Sequence, residues 1–262
     1  MNIKEIKHGW EKCPDDNAEA YISKCELFSK SDSHFANFRR DPDYGKILEG
    51  GEEIVGEMAL KSIAKLDLPV LLKNLARFKE NDIYGNPILR HYKLTGEISP
   101  TTLRYVNNCL EIKKLIKDFE PKKIVEVGGG YGGLCKTMSV LYAFDEYILI
   151  DLPPVIELCK KYLDNFSDIK EKITYVYCDN LEEIEKIKNT DLFISDSAFA
   201  ECDLATQKIY TKIAVNSKFV YVTFNALHIG NADQEMKIFM NSFGSRRVNS
   251  YQSWDKTVVT VQ

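Results

Sequence analysis

The sequence predicts an α/β fold. We expect a Rossmann-like sheet of seven strands, the last of them antiparallel, behind a mainly helical N-terminal region. Three observations carry this. From Lys122 onward strand-like and helix-like runs alternate. The first of those strands breaks into five glycines within Gly128 to Gly133. The last two strand-like pieces, near 246–251 and 257–261, are joined too tightly for a helical crossover and predict an antiparallel hairpin.

The elements follow in order. Residues 1 to about 50 show short apolar clusters around Trp10, Tyr21 to Phe28 and Phe35 to Phe38, and Ser31-Asp32-Ser33 is placed to cap a short helix bearing Phe35 and Phe38. Ile54, Val55, Met58, Leu60, Ile63 and Leu66 have helical spacing, and a second short helix follows Pro69. Asn81 to Pro100 reads as a turn-rich loop, with polar and aromatic chemistry in Tyr84-Gly85-Asn86-Pro87 and Arg90-His91-Tyr92. Thr101 or Thr102 is placed to cap a helix from Leu103 to Phe119, which Pro121 ends. Strands are then expected near 123–128, 146–151, 173–178, 191–196 and 218–225, with helices near 133–142, 154–165, 181–188, 203–215 and 231–241. Residues 1–118 are expected to form a helical acceptor-binding cap and 119–262 the cofactor domain.

The glycine stretch, Ile-Val-Glu-Val-Gly-Gly-Gly-Tyr-Gly-Gly over 124–133, is the organising feature. A strand, a glycine turn and a helix N-terminus form a nucleotide-binding corner, because glycine lets a ligand approach the backbone. Gly128, Gly130, Tyr131 and Gly132 are the loop candidates. Asp151, with Leu152 beside it, stands about 20 residues beyond, at a second strand tip, where a carboxylate meets a ribose diol. A third run ends in Cys178-Asp179-Asn180, which places Asp179 and Asn180 near an adenine edge. Glu126 precedes the first glycine by two residues. A carboxylate there opposes a pyrophosphate and favours a cationic ligand, so the loop points to S-adenosyl-L-methionine, a sulfonium without phosphate, over NAD.

Composition bounds the partners. The formal charge of −4 over 262 residues and the pI near 5.7 argue against a nucleic-acid binder. Seven cysteines without a Cys-x-x-Cys pair suit reduced thiols in a cytoplasm and give no zinc or disulfide framework. Met1 to Trp10 lacks the apolar core of a signal peptide, and no run approaches the ~20 apolar residues of a membrane helix. No metal site is expected, and a homo-oligomer is compatible with everything above.

Residues 119–262 resemble class I S-adenosylmethionine-dependent methyltransferases. Glu-Val-Gly-Gly-Gly-Tyr-Gly-Gly (126–133), Ile-Asp-Leu-Pro-Pro-Val (150–155), Ser-Ala-Phe-Ala-Glu (197–201), Tyr-Gly-Asn-Pro (84–87) and Ser-Pro-Thr-Thr-Leu-Arg-Tyr (99–105) are similar to a bacterial sugar O-methyltransferase family. The resemblance covers about 80–230. It implies a sugar hydroxyl acceptor, on a nucleotide-linked sugar or heptose, in surface (capsular) polysaccharide synthesis. It also implies an amide where this chain has Asp196.

Methyl transfer from a sulfonium is an in-line displacement, in which a positioned base adds about 10²- to 10⁴-fold for a poor nucleophile such as a sugar hydroxyl. Candidate bases at the carboxyl edge of the sheet are Asp196, Glu201 and His228. Glu201 is the one best supported by the resemblance. Tyr84, Asn86, Arg90, Arg104 and Asn225 are the acceptor-contact candidates. Two other readings share the glycine corner. An NAD-linked sugar oxidoreductase or epimerase lacks the expected Tyr-x-x-x-Lys pair after the fourth strand, and a non-catalytic binding module would bind cofactor without turnover.

Overall fold

The computed structural model describes residues 17–49, 51–225, 232–253 and 256–262. Helices α1 (Asn17–Lys30), α2 (Asp32–Phe35), α3 (Pro42–Leu48), α4 (Glu53–Leu66) and α5 (Leu68–Lys79) come first. A hairpin of β1 (Arg90–Tyr92) and β2 (Gly96–Ile98) leads to α6 (Pro100–Ile116). The alternating half runs β3 (Lys123–Val127), α7 (Gly133–Leu141), β4 (Glu146–Asp151), α8 (Pro153–Leu163), β5 (Ile173–Tyr177), α9 (Leu181–Lys186) and β6 (Leu192–Asp196). It continues through α10 (Ala198–Glu201), α11 (Leu204–Val215), β7 (Phe219–Asn225), α12 (Ala232–Asn241), β8 (Val248–Gln252) and β9 (Lys256–Val261).

The seven-stranded sheet has the order β5-β4-β3-β6-β7-β9-β8. Its first five strands in that order are parallel, and β9 is antiparallel to both β7 and β8. The expected sheet, with its one reversed strand, is therefore present. The central strands read as near-continuous apolar runs because helices cover both faces: Ile124, Val125, Ile148, Leu149, Phe193, Ile194, Val220 and Val222 are all buried.

Three of the early helices start the same way. Asp41 before Pro42, Asp67 before Leu68-Pro69 and Ser99 before Pro100 each accept a backbone N–H of the first turn. For α6 this corrects the expected cap: Ser99 Oγ accepts from Thr102 N at 3.0 Å, so the helix starts at Pro100. It also ends earlier than Phe119, at Ile116, where Lys117 turns to φ +54°. Ser31 does stand at the N-cap of α2, but its hydroxyl makes no cap bond and pairs instead with Ser33 and His34.

Helix α6 is buried on nearly every side, and its spacing explains how. Leu103, Val106 and Leu110 pack with Ala59 and Ile63 of α4, Leu71 and Phe78 of α5, and Ile98. Tyr105, Cys109, Ile112 and Ile116, on the opposite stripe, join the main core under the sheet. That main core also takes in Tyr21, Phe28, Phe38 and Tyr44 from the N-terminal helices, so its apolar packing runs across residue 118.

The segment expected to be an acceptor loop is mostly structural. It contains the β1–β2 hairpin, with Arg90 opposite Ile98 and Tyr92 opposite Gly96. Gly85 has φ +84°, and a Cβ there would lie 2.3 Å from the ring of Phe38, so the turn is pressed onto the aromatic cluster. Tyr84 completes that cluster against Tyr162 and Phe166.

Candidate active site

The carboxyl ends of β3, β4 and β6 open onto a cleft roofed by the N-terminal helices. Its floor is Glu126 to Gly130, one wall is Asp151 and Leu152 with Cys178, and the other is Asp196 to Ala198 with Glu201 and Cys202. Tyr21 of α1 and Ile47 and Leu48 of α3 close over it, and Arg104 and Tyr105 reach it from α6. This is where open α/β sheets hold ligands.

Three N–H groups of the glycine loop are engaged within the protein. Gly128 N donates to Ile150 O at 2.9 Å, Gly132 N to Gly129 O at 2.9 Å, and Gly130 N to Asp151 Oδ2 at 3.1 Å. A pyrophosphate would need those donors, and it would face Glu126, Asp151, Asp196 and Glu201 with Arg104 as the cation among the described lining residues. A sulfonium ligand with a ribose fits that donor set. Gly128 has φ +83° and leaves room for Ala198, whose Cβ would sit 2.0 Å from a Cβ at 128.

Two carboxyls of the floor are perturbed. Glu126 is buried and accepts the Tyr147 hydroxyl at 2.7 Å; burial pushes its pKa up to about 8, against the pull of that hydrogen bond. Asp151 accepts Leu152 N at 2.7 Å besides Gly130 N, and burial still raises it to about 7. Ionisable groups poised near neutrality in a cleft are a mark of functional sites.

Asp196 behaves in the opposite way. Burial raises it, but the charges of Lys256 and Arg104 and hydrogen bonds from Lys256 and Thr223 hold it well below the usual carboxylate range. Lys256 Nζ donates to Asp196 Oδ1 at 2.6 Å, Thr223 Oγ1 to the same oxygen at 2.9 Å, and Asn108 Nδ2 to Oδ2 at 2.9 Å. So firmly ionised a group is a poor proton acceptor, which argues against Asp196 as the base. It is a fixed negative wall. Glu201, one turn beyond, also lines the cleft. His228 lies outside the described residues, as does the side chain of Asn225, whose backbone ends β7 opposite Lys256.

The structure brings together Glu126, Gly128, Gly130, Asp151, Leu152, Asp196, Glu201 and Arg104. The other described candidates lie off the cleft lining. Tyr131 points into the aromatic core, with ring contacts to Phe38 and Tyr162, and Gly132 abuts Leu163 and Cys159, because the loop turns into α7 there. Asn180 caps α9 through Glu183 N, and the cleft residue at that strand end is Cys178, ahead of Asp179. Asn86, at φ +53°, bonds Asn37, and Arg90 donates to Gly51 O. Among the described residues no group of three or more His, Cys, Asp or Glu is placed to hold a metal ion.

Sequence reasoning missed Lys256, Asn108 and Thr223, and the lining side chains Tyr21, Ile47 and Leu48. Lys256 carried one signal: a lysine opening the otherwise apolar and threonine strand Thr-Val-Val-Thr-Val.

No curated protein matches the chain. Several solved structures are similar to parts of the chain. The methyltransferase domain of bacterial CtHen1 superposes at TM-score 0.45 and 13% identity, over 59% of this chain and 96% of that one. The mitomycin 7-O-methyltransferase MmcR does so at 0.44 and 16%, over 62% and 55%. Magnesium protoporphyrin IX methyltransferase (ChlM) from Synechocystis PCC 6803, with bound SAM, does so at 0.46 and 8%, over 61% and 80%. Membership rests on the sequence itself, where the family model of the O-methyltransferase domain matches residues 84–239, from the turn before the hairpin to α12. The chain thus belongs to the O-methyltransferase domain family, and its cofactor is S-adenosyl-L-methionine.

Proposed function

We propose that the methyl acceptor is a hydroxyl of a sugar, free or nucleotide-linked, in surface polysaccharide synthesis in the cytoplasm. The observation that carries this reading is the polarity of the wall beyond the glycine loop: an ionised Asp196, Glu201, Ser197 and Arg104 face the cleft together. Such a polar wall suits a hydroxyl-rich acceptor, which can exchange hydrogen bonds with it as water does, better than an apolar one.

Residues 1–118 act in this proposal as the acceptor-binding cap and 119–262 as the cofactor domain. Tyr21, Ile47 and Leu48 support the first role by lying over the cleft, and Arg104 by reaching into it from α6 while its Nη2 holds Leu48 O at 3.2 Å. Bound S-adenosyl-L-methionine supplies an electrophilic methyl group. Asp151 accepts from the ribose hydroxyls, Glu126 offsets positive charge above the loop once a bound cation favours its ionised form, and Asp196 with Arg104 orients the acceptor. Glu201 takes the proton of the attacking hydroxyl, for which a positioned base contributes about 10²- to 10⁴-fold.

The test begins with calorimetric titration of the purified protein with S-adenosylhomocysteine and, separately, NAD and NADH. Micromolar binding of the sulfur nucleoside alone, lost in Asp151→Ala, is expected. Methyl transfer from labelled S-adenosyl-L-methionine to a panel of free and nucleotide-linked sugars then follows. Transfer confined to phenolic or carboxylate acceptors would overturn the sugar reading, and a Glu201→Gln variant with unchanged kcat would remove Glu201 as base.

A further inference from the structure

The wall formed by the β6 tip is built on a strained turn. Ser197 has φ +73° and ψ −36°, a conformation that non-glycine residues rarely adopt and that persists only when neighbours fix it. Its position matters because the next residue, Ala198, fills the space that Gly128 leaves in the cofactor loop. Ser195 adds a second tie between the two loops: its hydroxyl donates to Val127 O and accepts Phe199 N, each at 2.9 Å. The glycine loop is thus shaped in part by the turn across from it.

What fixes the turn is a chain of contacts that ends on β9. Ser197 N donates to Thr223 Oγ1 at 2.8 Å, and that hydroxyl donates to Asp196 Oδ1 at 2.9 Å. The same oxygen receives Lys256 Nζ at 2.6 Å, and Lys256 also donates to Asn108 Oδ1 at 2.9 Å. Asn108 closes a triangle by donating to Asp196 Oδ2, one helical turn from Arg104 on α6. The side chains of Lys256 and Asp196 are 3% and 11% exposed, so the pair is largely shielded from water. Facing Asp196 as charged groups are Lys256 from β9, hydrogen-bonded to it, and Arg104 from α6.

We propose that Lys256 is a positioning residue of the cofactor cleft. From the reversed strand it counter-charges Asp196 and, through Thr223, fixes the turn at Ser197 that sets Ala198 against the glycine loop. The inference rests on the cofactor assignment and is independent of which acceptor is methylated. Lys256 does not itself line the cleft and meets the lining through Asp196.

The experiment is a double-mutant cycle read by calorimetric titration with S-adenosylhomocysteine, at a temperature where circular dichroism shows every variant folded. Lys256→Met is expected to weaken binding about 10-fold, and Lys256→Arg to stay within about 3-fold of the parent, a coupling typical of contacting charges. Adding Asp196→Asn to Lys256→Met should recover most of the loss, because an amide needs no counter-charge. A lysine that served only as filler would give a double variant no better than the single one. Thr223→Val, which keeps both charges but cuts the link to Ser197, should weaken binding several-fold and serves as the independent arm if Lys256→Met does not fold. Parent-like affinity in Lys256→Met or in Thr223→Val, or a double variant without recovery, overturns the proposal. Absence of binding to the parent protein overturns the cofactor reading with it.

Discussion

Removing the guanidinium of Arg39 should unsettle the fold and the cofactor loop together. Arg39 is fully buried, and every nitrogen has a partner: Nε meets Glu49 Oε1 at 2.5 Å, Nη1 meets Asn81 O at 2.7 Å and Asp82 Oδ1 at 3.2 Å, and Nη2 meets Ser99 Oγ at 3.1 Å. Glu49 and Asp82 are themselves 5% and 8% exposed. Arg39→Met keeps much of the volume but leaves two buried carboxylates without their cation, for which the expected cost is about 3–5 kcal/mol. At ~2–4 °C per kcal/mol for a chain of this size, the melting temperature should fall by about 6–20 °C. The guanidinium also lies 4.9 Å from the ring of Tyr131, the tyrosine inside the glycine loop, so S-adenosylhomocysteine affinity should fall as well. Thermal unfolding followed by circular dichroism, with and without S-adenosylhomocysteine, is the assay. Adding Glu49→Gln should recover part of the loss by removing one orphaned charge. A drop smaller than ~3 °C, outside the range expected for a buried charge left unpaired, would refute the reasoning.

Three further outcomes can be checked. Glu126 has a folded-state pKa of about 8 against an unfolded value near ~4.3, so the folded state holds the proton more tightly and stability falls as pH rises between those values. Glu126→Gln should therefore raise the melting temperature of the cofactor-free protein at pH 8, leave it nearly unchanged at pH 4, and weaken cofactor binding; equal effects at both pH values would count against it. Asp151, raised to about 7, must be ionised to accept two ribose hydroxyls, so S-adenosylhomocysteine should bind more tightly at pH 8 than at pH 6, and a titration of Asp151→Asn should show that this part of the dependence has gone. Gly128→Ala adds a Cβ 2.0 Å from that of Ala198 at φ +83°, and should abolish measurable binding; micromolar affinity in that variant would show that the two loops separate freely.

The alternating half of the chain was legible because strands and helices there bury opposite patterns of apolar residues, and the glycine corner because its backbone demands are chemical. Glu126 and Asp151 could be placed for the same reason: strand tips present side chains to the cleft at fixed spacing. Asp179 and Asn180 were misplaced relative to the cleft by one or two residues, since the register at which β5 ends decides that Cys178 faces it. Tyr84, Asn86 and Arg90 look like binding chemistry in one dimension. In three dimensions they are claimed by Phe166, Asn37 and Gly51, partners distant in sequence. Lys256 was out of reach for the same reason, because its partners lie 60 and 148 residues away.

The reversed strand also constrains the order in which the molecule can assemble. β9 lies between β7 and β8 although it is made after both, so β8 has no neighbour in the sheet until β9 is in place. A chain that has emerged only as far as β8 holds Asp196 without its cation and leaves the edge of β7 open, the kind of edge that pairs with other chains. Late, long-range closure of this sort slows folding. The outer edge of the sheet is thus closed only by pairings that wait for the last strand.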